Sequence, residues 1–201
     1  MKILNLYSGI GGNRKLWGDE FSVTAIEIDP VIANIYNNFF PKDTVIITDA
    51  HEYLLNHYMD YDFIWSSPPC QSHSSFRINL GVKVRGLKAL YPEMSLYQEI
   101  LLLENYFKEK WVVENVKPFY EPLIMPNVIL QRHCFWCNFY IRNKIFSSDR
   151  LRSAQIPDLS KLYGYDLSKY RLQNKRQVLR NCTSPEIGKY IMDQMLCSLS
   201  D

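Results

Sequence analysis

The sequence predicts an α/β fold with a mixed, mostly parallel sheet, and three observations carry that expectation. Short apolar runs alternate with amphipathic stretches up to about residue 116, the signature of βαβ units. A glycine cluster, "YSGIGG", follows the first apolar run, as in Rossmann-like folds. Beyond it all, "NVILQRHCFWCNFYIRN" is aromatic and β-branched with no helix inside it, which reads as an antiparallel hairpin or edge strands.

Taken in order, "KILNLY" is a first strand and "SVTAIEI" a second, joined by "SGIGGNRKLWGDE", a glycine-rich turn leading into a short helix. "DPVIANIYNNFF" is a helix with Asp29 and Pro30 at its start. "TVIIT" is a third strand, "HEYLLNHYM" a helix, and "YDFIWS" a fourth strand that runs into "SSPPCQSHSS". The strongest helix is "EMSLYQEILLLENYFKE", with Leu96, Ile100, Leu103 and Phe107 on one face, followed by the strand "KWVVENV". Residues 143–175 are polar, basic and weakly periodic. A final amphipathic helix, "SPEIGKYIMDQMLCSL", has Ser184 as its expected N-cap and Pro185 at its first position.

Composition excludes several classes. A chain of 201 residues with 47% hydrophobic and 22% charged content can bury a core, and nothing in it reads as disordered or low-complexity. The net charge of +2 means that nucleic acid contacts must come from a local basic patch. The apolar run at the N-terminus is too short for a signal segment or a membrane span, so the expectation is a cytoplasmic protein with no membrane partner. Five cysteines without a regular framework suit a reducing compartment. Cys134 and Cys137 form a lone CxxC, with only His133 and Cys182 nearby in type; two strand cysteines facing the core is the favoured reading over zinc, and no metal is expected.

The candidate chemistry sits at strand ends, where open α/β sheets bind ligands. Backbone N–H groups of the loop from Tyr7 to Gly12 suit an anionic or zwitterionic cofactor, although a tight turn would use the same glycines. Glu27 ends the second strand about twenty residues on, where Rossmann-like folds place a ribose-binding acid. Asp49 ends the third strand, where such a fold meets the adenine. Cys70 follows two prolines that restrict its backbone, which holds a nucleophile in one orientation. Glu114 and Asn115 end the fifth strand; a buried carboxylate there is expensive unless it is paired or has its pKa raised, and a protonated one can donate a hydrogen bond to a ring nitrogen. A thiol and a carboxylic acid together suggest covalent activation of an electron-poor ring.

In this order, "LNLYSGIGG", "EID", "SSPPCQ" and "VVENV" resemble the cofactor loop, ribose acid, Pro-Cys segment and Glu-Asn-Val segment of the cytosine carbon-5 DNA methyltransferases. "RQVLRNCTSPEIGKYI" is similar to the family's last motif through Asn181 and Pro185. The resemblance implies a Rossmann-like S-adenosylmethionine-dependent methyltransferase fold and S-adenosyl-L-methionine as cofactor. Tyr7, Ser8, Gly9, Gly11 and Gly12 would form its loop, Glu27, Ile28, Asp49 and Ala50 its adenosine side, and Pro68 and Asn181 the remaining contacts. It implies that Cys70 adds to carbon 6 of cytosine, that Glu114 protonates ring nitrogen 3, and that Gln71, Asn115 and Arg132 complete the catalytic set. A duplex DNA substrate must then flip the cytosine out of its stack.

The resemblance also sets the remaining expectations. Residues 72–88, with Arg77, Lys83, Arg85 and Lys88, look like the family's mobile catalytic loop. Residues 1–142 and 176–201 form the catalytic domain, and 143–175 a short target recognition segment that implies short or relaxed specificity. Asn5 replaces a usual aspartate, His133 and Phe135 stand where arginines are common, and Arg180 replaces a usual glycine. The chain is expected to be a monomer, with a cognate restriction enzyme as a candidate partner. The same chemistry on RNA or free deoxycytidine nucleotide, or a noncatalytic homologue, remains as an alternative.

Overall fold

The computed structural model of the chain describes residues 1–146 and 154–199. Residues 147–153, part of the expected recognition segment, lie outside the described residues. The elements run β1 (Lys2–Leu6), β2 (Ser22–Glu27), α1 (Pro30–Phe39), β3 (Thr44–Ile47), α2 (Ala50–His57), β4 (Phe63–Ser66), α3 (Lys83–Arg85), α4 (Ser95–Tyr106), β5 (Lys110–Val116), β6 (Val128–Leu130), β7 (His133–Cys137), α5 (Ile156–Tyr163), α6 (Lys175–Asn181) and α7 (Pro185–Cys197). The strands form one sheet in the order β3-β2-β1-β4-β5-β7-β6. The first five are parallel, and β7 runs antiparallel to both β5 and β6. This is the expected α/β, Rossmann-like arrangement with a mixed, mostly parallel sheet.

Both faces of the sheet are covered, which is why its strands read as continuous apolar runs. Ile3, Phe63, Trp65 and Val112 point to one face, where Ile187, Ile191 and Met195 of α7 cover them. Their neighbours Leu4, Leu6, Ile64 and Val113 point to the other, beneath Leu54 of α2 and Leu96, Ile100 and Leu103 of α4. Cys134 and Cys137 face opposite sides and are buried in these two cores, as strand cysteines. Among the described residues no group of three His, Cys, Asp or Glu side chains could hold a metal ion. No helix among them is long and apolar enough to cross a membrane.

Strand order reverses between β1 and β4, which pair in register with Leu6 opposite Ser66. The glycine loop and the Pro-Pro-Cys segment therefore leave adjacent strands at the topological switch point, where a crevice opens. Asp29 caps α1 by accepting the Val31 and Ile32 N–H groups, with Pro30 at the first position. This leaves Glu27, two residues earlier, available to the crevice.

Four local expectations need correction. The glycine loop leads only into a single 3₁₀ turn, Arg14–Leu16, whose Arg14 guanidinium makes a buried two-bond pair with Asp43 at 2.9 and 3.0 Å. The segment after Cys70 is not a loop throughout: Arg77–Val82 form a π-helical turn that continues into α3 and ends at Gly86, whose φ of +67° only glycine adopts easily. Ser184 occupies the N-cap of α7, but its hydroxyl accepts nothing from the helix. Residues 156–163, within the weakly periodic stretch for which no element was expected, form α5. It opens with Pro157 in its first turn and Asp158 accepting the Gln155 N–H, and ends at Gly164 with φ +68°.

Rather than projecting outward, α5 and the residues after it pack back onto the glycine loop. Leu159, Tyr163, Tyr165 and Leu167 form a third core with Ile10, Ile35 and Leu179. The Tyr165 hydroxyl donates to the Gly11 carbonyl at 2.7 Å, and Lys15 Nζ lies 3.7 Å from the Tyr165 ring centroid. On its other side the glycine loop meets the C-terminal segment at backbone contact distance. A Cβ on Gly12 would fall 2.6 Å from the Thr183 carbonyl oxygen, and one on Gly188 would fall 2.7 Å from the Asn13 Cα. Gly188→Ala should therefore destabilise the protein by about 1–3 kcal/mol through forced separation of α7 from the loop. Urea unfolding followed by circular dichroism measures this directly, and an unchanged midpoint would contradict the packing.

Candidate active site

At the switch point lies a cavity of about 410 Å³. One wall is the glycine loop. Gly9 has φ +53° with open space where a Cβ would stand, so its backbone is accessible to a ligand. The Ser8 hydroxyl is buried against the cavity without a hydrogen-bond partner. Glu27 faces this wall: Oε2 accepts the Gly9 N–H and Oε1 the Asp29 N–H, both at 3.0 Å. Burial holds the Glu27 carboxyl above its ordinary range, against the pull of those N–H groups.

A buried acid that the sequence reading passed over, Glu99 of α4, fixes the geometry behind the crevice. Its Oε1 accepts the Tyr7 hydroxyl at 2.6 Å and meets His51 Nδ1 at 3.0 Å, while Oε2 accepts the Ser66 hydroxyl at 2.5 Å. Tyr7 sits at φ +54°, a left-handed backbone rarely adopted by a bulky residue, and this contact helps hold it there. Burial, then the neighbouring Glu99, push the Tyr7 hydroxyl far above its ordinary pKa, so it remains a donor. The hydrogen bond to Glu99 is also the main cause raising the His51 pKa. The available signal was position: Glu99 lies three residues after Leu96 and four before Leu103, inside the apolar stripe.

The opposite wall comes from the ends of β4 and β5. The Asn115 side-chain N–H donates to the Pro68 carbonyl at 3.0 Å, and its oxygen accepts the Val116 N–H at 2.9 Å. That clamp and the two proline rings fix the chain that presents Cys70. Burial, and next the Glu114 charge, push the Cys70 thiol up to about 11, while Arg132 pulls the other way. Glu114 is buried, accepts the Thr183 hydroxyl at 3.2 Å, and lies 3.7 Å from His133 Nε2. Burial raises its pKa, opposed by Ser67, Arg132 and Thr183. His133 is itself pushed down to about 3, by burial first and Arg132 second, so it stands beside Glu114 as a neutral imidazole.

Most of the anticipated residues meet on this cavity. Tyr7, Ser8, Gly9, Gly12, Glu27 and Ile28 line its glycine-loop side, and Pro68, Cys70, Gln71, Glu114 and Asn181 its catalytic side. Five do not line it. Gly11 turns away, since a Cβ there would meet Tyr36 and Phe40. The Asp49 carboxylate caps α2 by accepting the Glu52 N–H at 3.0 Å, and Ala50 is buried in the core beneath that helix. Asn115 stands behind Pro68 rather than in the cavity. Arg132 donates to the Arg180 carbonyl at 2.8 Å and lines a neighbouring cleft. Ile32 and Thr183 line the cavity without having been anticipated; Ile32 reads as ordinary helix, and Thr183 lies just beyond the recognisable Asn181.

These walls fit an adenosine cofactor such as S-adenosyl-L-methionine. Each Glu27 oxygen holds one backbone N–H and retains acceptor capacity for ribose hydroxyls. The unpartnered Ser8 hydroxyl and the open Gly9 backbone suit a polar, charged tail. Ile28 and Ile32 give an apolar surface for the base.

Comparison with known proteins follows the same lines. No curated protein matches the chain. The solved methyltransferase EhMeth of Entamoeba histolytica is similar over 100% of this chain and 99% of its own, at 11% identity and a TM-score of 0.59, a likeness of fold. A mutant DNMT2 of Spodoptera frugiperda is 25% identical over 59% of this chain and 36% of its own, with a TM-score of 0.41. The chain thus spans little more than a third of that insect protein's length. The family model of C-5 cytosine-specific DNA methylase matches residues 1–122, which takes in the glycine loop, Glu27, the Pro-Pro-Cys segment and Glu114. With more than half of its length matched, the chain belongs to the C-5 cytosine-specific DNA methylase family.

Proposed function

We propose that the protein methylates carbon 5 of cytosine in DNA through a transient covalent adduct between Cys70 and carbon 6. The observation that carries this reading is the meeting of the Cys70 thiol and the Glu114 carboxyl, from the ends of adjacent strands, on one cavity with the glycine loop and Glu27. Family membership implies S-adenosyl-L-methionine as cofactor, and when bound it supplies the methyl group that carbon 5 takes.

The protein's own residues supply the rest. Glu114, with its pKa raised by burial, hydrogen-bonds ring nitrogen 3 and gives it a proton while Thr183 holds the other carboxyl oxygen. Cys70 loses its thiol proton to solvent, and the thiolate forms the bond to carbon 6 as nitrogen 3 is protonated, so the ring's electron pair reaches carbon 5. After methylation, loss of the carbon-5 proton to solvent expels the thiolate and returns the proton on nitrogen 3 to Glu114. Asn115 acts as a positioning residue through the Pro68 carbonyl. A duplex must extrude the cytosine to reach this cavity.

A second reading keeps the chemistry and changes the substrate to RNA or a free deoxycytidine nucleotide. The docking of residues 156–167 into the core favours it, because few residues of the 143–175 segment are left to read base edges. Labelled S-adenosyl-L-methionine offered with duplex DNA, tRNA and deoxycytidine monophosphate separates the readings. Transfer to duplex DNA is expected, Cys70→Ser should lower it by about three orders of magnitude or more, and the mutant should form no adduct with 5-fluorocytosine DNA. Label in none of the substrates would remove the enzyme reading, and label confined to the mononucleotide would remove DNA.

Cys70 reactivity gives a second test that needs no substrate. With its pKa near 11, the rate of alkylation by iodoacetamide, read on the Cys70 peptide by mass spectrometry, should rise about tenfold per pH unit between pH 7 and 9. Arg132→Ala removes the cation that favours the thiolate and should slow the reaction. A plateau near pH 8 in the unmodified protein would contradict the assignment.

A further inference from the structure

Beside the Cys70 cavity lies a second cleft, of about 340 Å³, lined by Arg132, Arg176, Arg180, Phe76 and the amides Asn174, Gln177 and Asn181. Among the described residues no acidic side chain lines it. Arg176 and Arg180 are one helical turn apart on α6 and so share a face. Arg132 enters from the β6–β7 turn, its guanidinium anchored on the Arg180 carbonyl at 2.8 Å. Arg176 Nε donates to the Ala154 carbonyl at 3.1 Å, and the Arg180 guanidinium lies 5.2 Å from the Phe76 ring centroid. Asn181 lines both this cleft and the cavity that holds Cys70, so the two lie side by side.

Three guanidinium groups gathered at one cleft repel one another. Burial, and then repulsion from Arg176 and Arg132, lower the Arg180 pKa. An anion in the cleft relieves that repulsion, and the planar guanidinium forks match phosphate oxygens two at a time. The amides add neutral donors. Arg180 replaces the glycine usual at that point in the family's last motif, so this chain has placed a cation where the resemblance predicts none.

We propose that this cleft is a phosphate-binding subsite for the substrate, taking the phosphate attached to the target cytidine while its base enters the Cys70 cavity. The proposal rests on the cytosine reading above and extends it to a named anchor. The phosphate could be supplied by the backbone of a polynucleotide or by the terminal phosphate of a free nucleotide, and both carry the same chemistry.

Binding measured without cofactor tests it. Fluorescence anisotropy of a labelled cytosine-containing duplex is followed across a salt series, and calorimetric titration compares deoxycytidine monophosphate with deoxycytidine. The proteins are the unmodified chain, Arg176→Gln/Arg180→Gln, and Lys108→Gln as a control at the opposite end of β5. If the cleft takes a backbone phosphate, the double variant should bind the duplex roughly 10- to 100-fold more weakly, and the slope of log affinity against log salt should fall by about 1–2. If it takes a terminal phosphate, the same loss should appear for deoxycytidine monophosphate and not for deoxycytidine. Duplex and mononucleotide affinities and salt slope all within twofold of the unmodified protein, in a variant with an unchanged circular dichroism melt, would overturn the subsite. Should the variant not fold, inorganic phosphate decides with the unmodified chain: millimolar phosphate should compete with the ligand more strongly than chloride at equal ionic strength, and equal competition overturns the proposal. Because no methyl transfer is read, intact phosphate-dependent binding with no methylation of any substrate would sink the enzyme reading and leave the subsite standing.

Discussion

The Glu99 carboxylate holds together the three segments on which the crevice depends. Tyr7 opens the glycine loop, Ser66 ends the strand that leads to Cys70, and His51 belongs to α2. An acid so deeply buried is tolerated only when its lone pairs are occupied, and here three side chains occupy them. The same bonds set the distance between the glycine loop and the segment that carries Cys70. Loss of this carboxylate would leave three polar groups without their partner and would let the two walls move independently.

The electrostatics of the cavity show a shared constraint of a different kind. Burial disfavours both the Cys70 thiolate and the Glu114 carboxylate, and each anion would disfavour the other. Arg132 favours both anions, and it does so from the adjoining cleft. His133, where a second arginine is often found, is neutral and adds no positive charge. Burial therefore favours the protonated form of both groups. A ring nitrogen that accepted the Glu114 proton would leave a carboxylate that disfavours the thiolate, and the positive charge gained by the ring would have to offset it.

Much of this was legible because it lies where sequence pattern and topology coincide. Strand ends in a parallel sheet converge, so Cys70, Glu27 and Glu114 could be brought together without any contact information. What escaped depended on surroundings. Glu99 looks like a solvent-facing acid until one notices that it interrupts an apolar stripe. Asp49 stood at the right strand end, but the start of α2 takes its side chain as a cap. Arg132 carried a familiar motif, and the α6 carbonyl draws it out of the cavity. The helix Ile156–Tyr163 was concealed by charged residues around Ile156, Leu159 and Tyr163, although Pro157 and Gly164 marked its two ends.

The docking of residues 159–167 against the glycine loop bears on how this protein could be re-engineered. A segment that only read DNA would be a detachable module, open to replacement by a larger one of different specificity. Here Leu159, Tyr163, Tyr165 and Leu167 also close the core over Ile10 and Ile35, and Tyr165 anchors the Gly11 carbonyl. A graft that exchanged the whole stretch would unroof the cofactor loop. A tolerated insertion must enter before this buried set and leave it intact, so new recognition would have to be added to the scaffold rather than substituted for part of it.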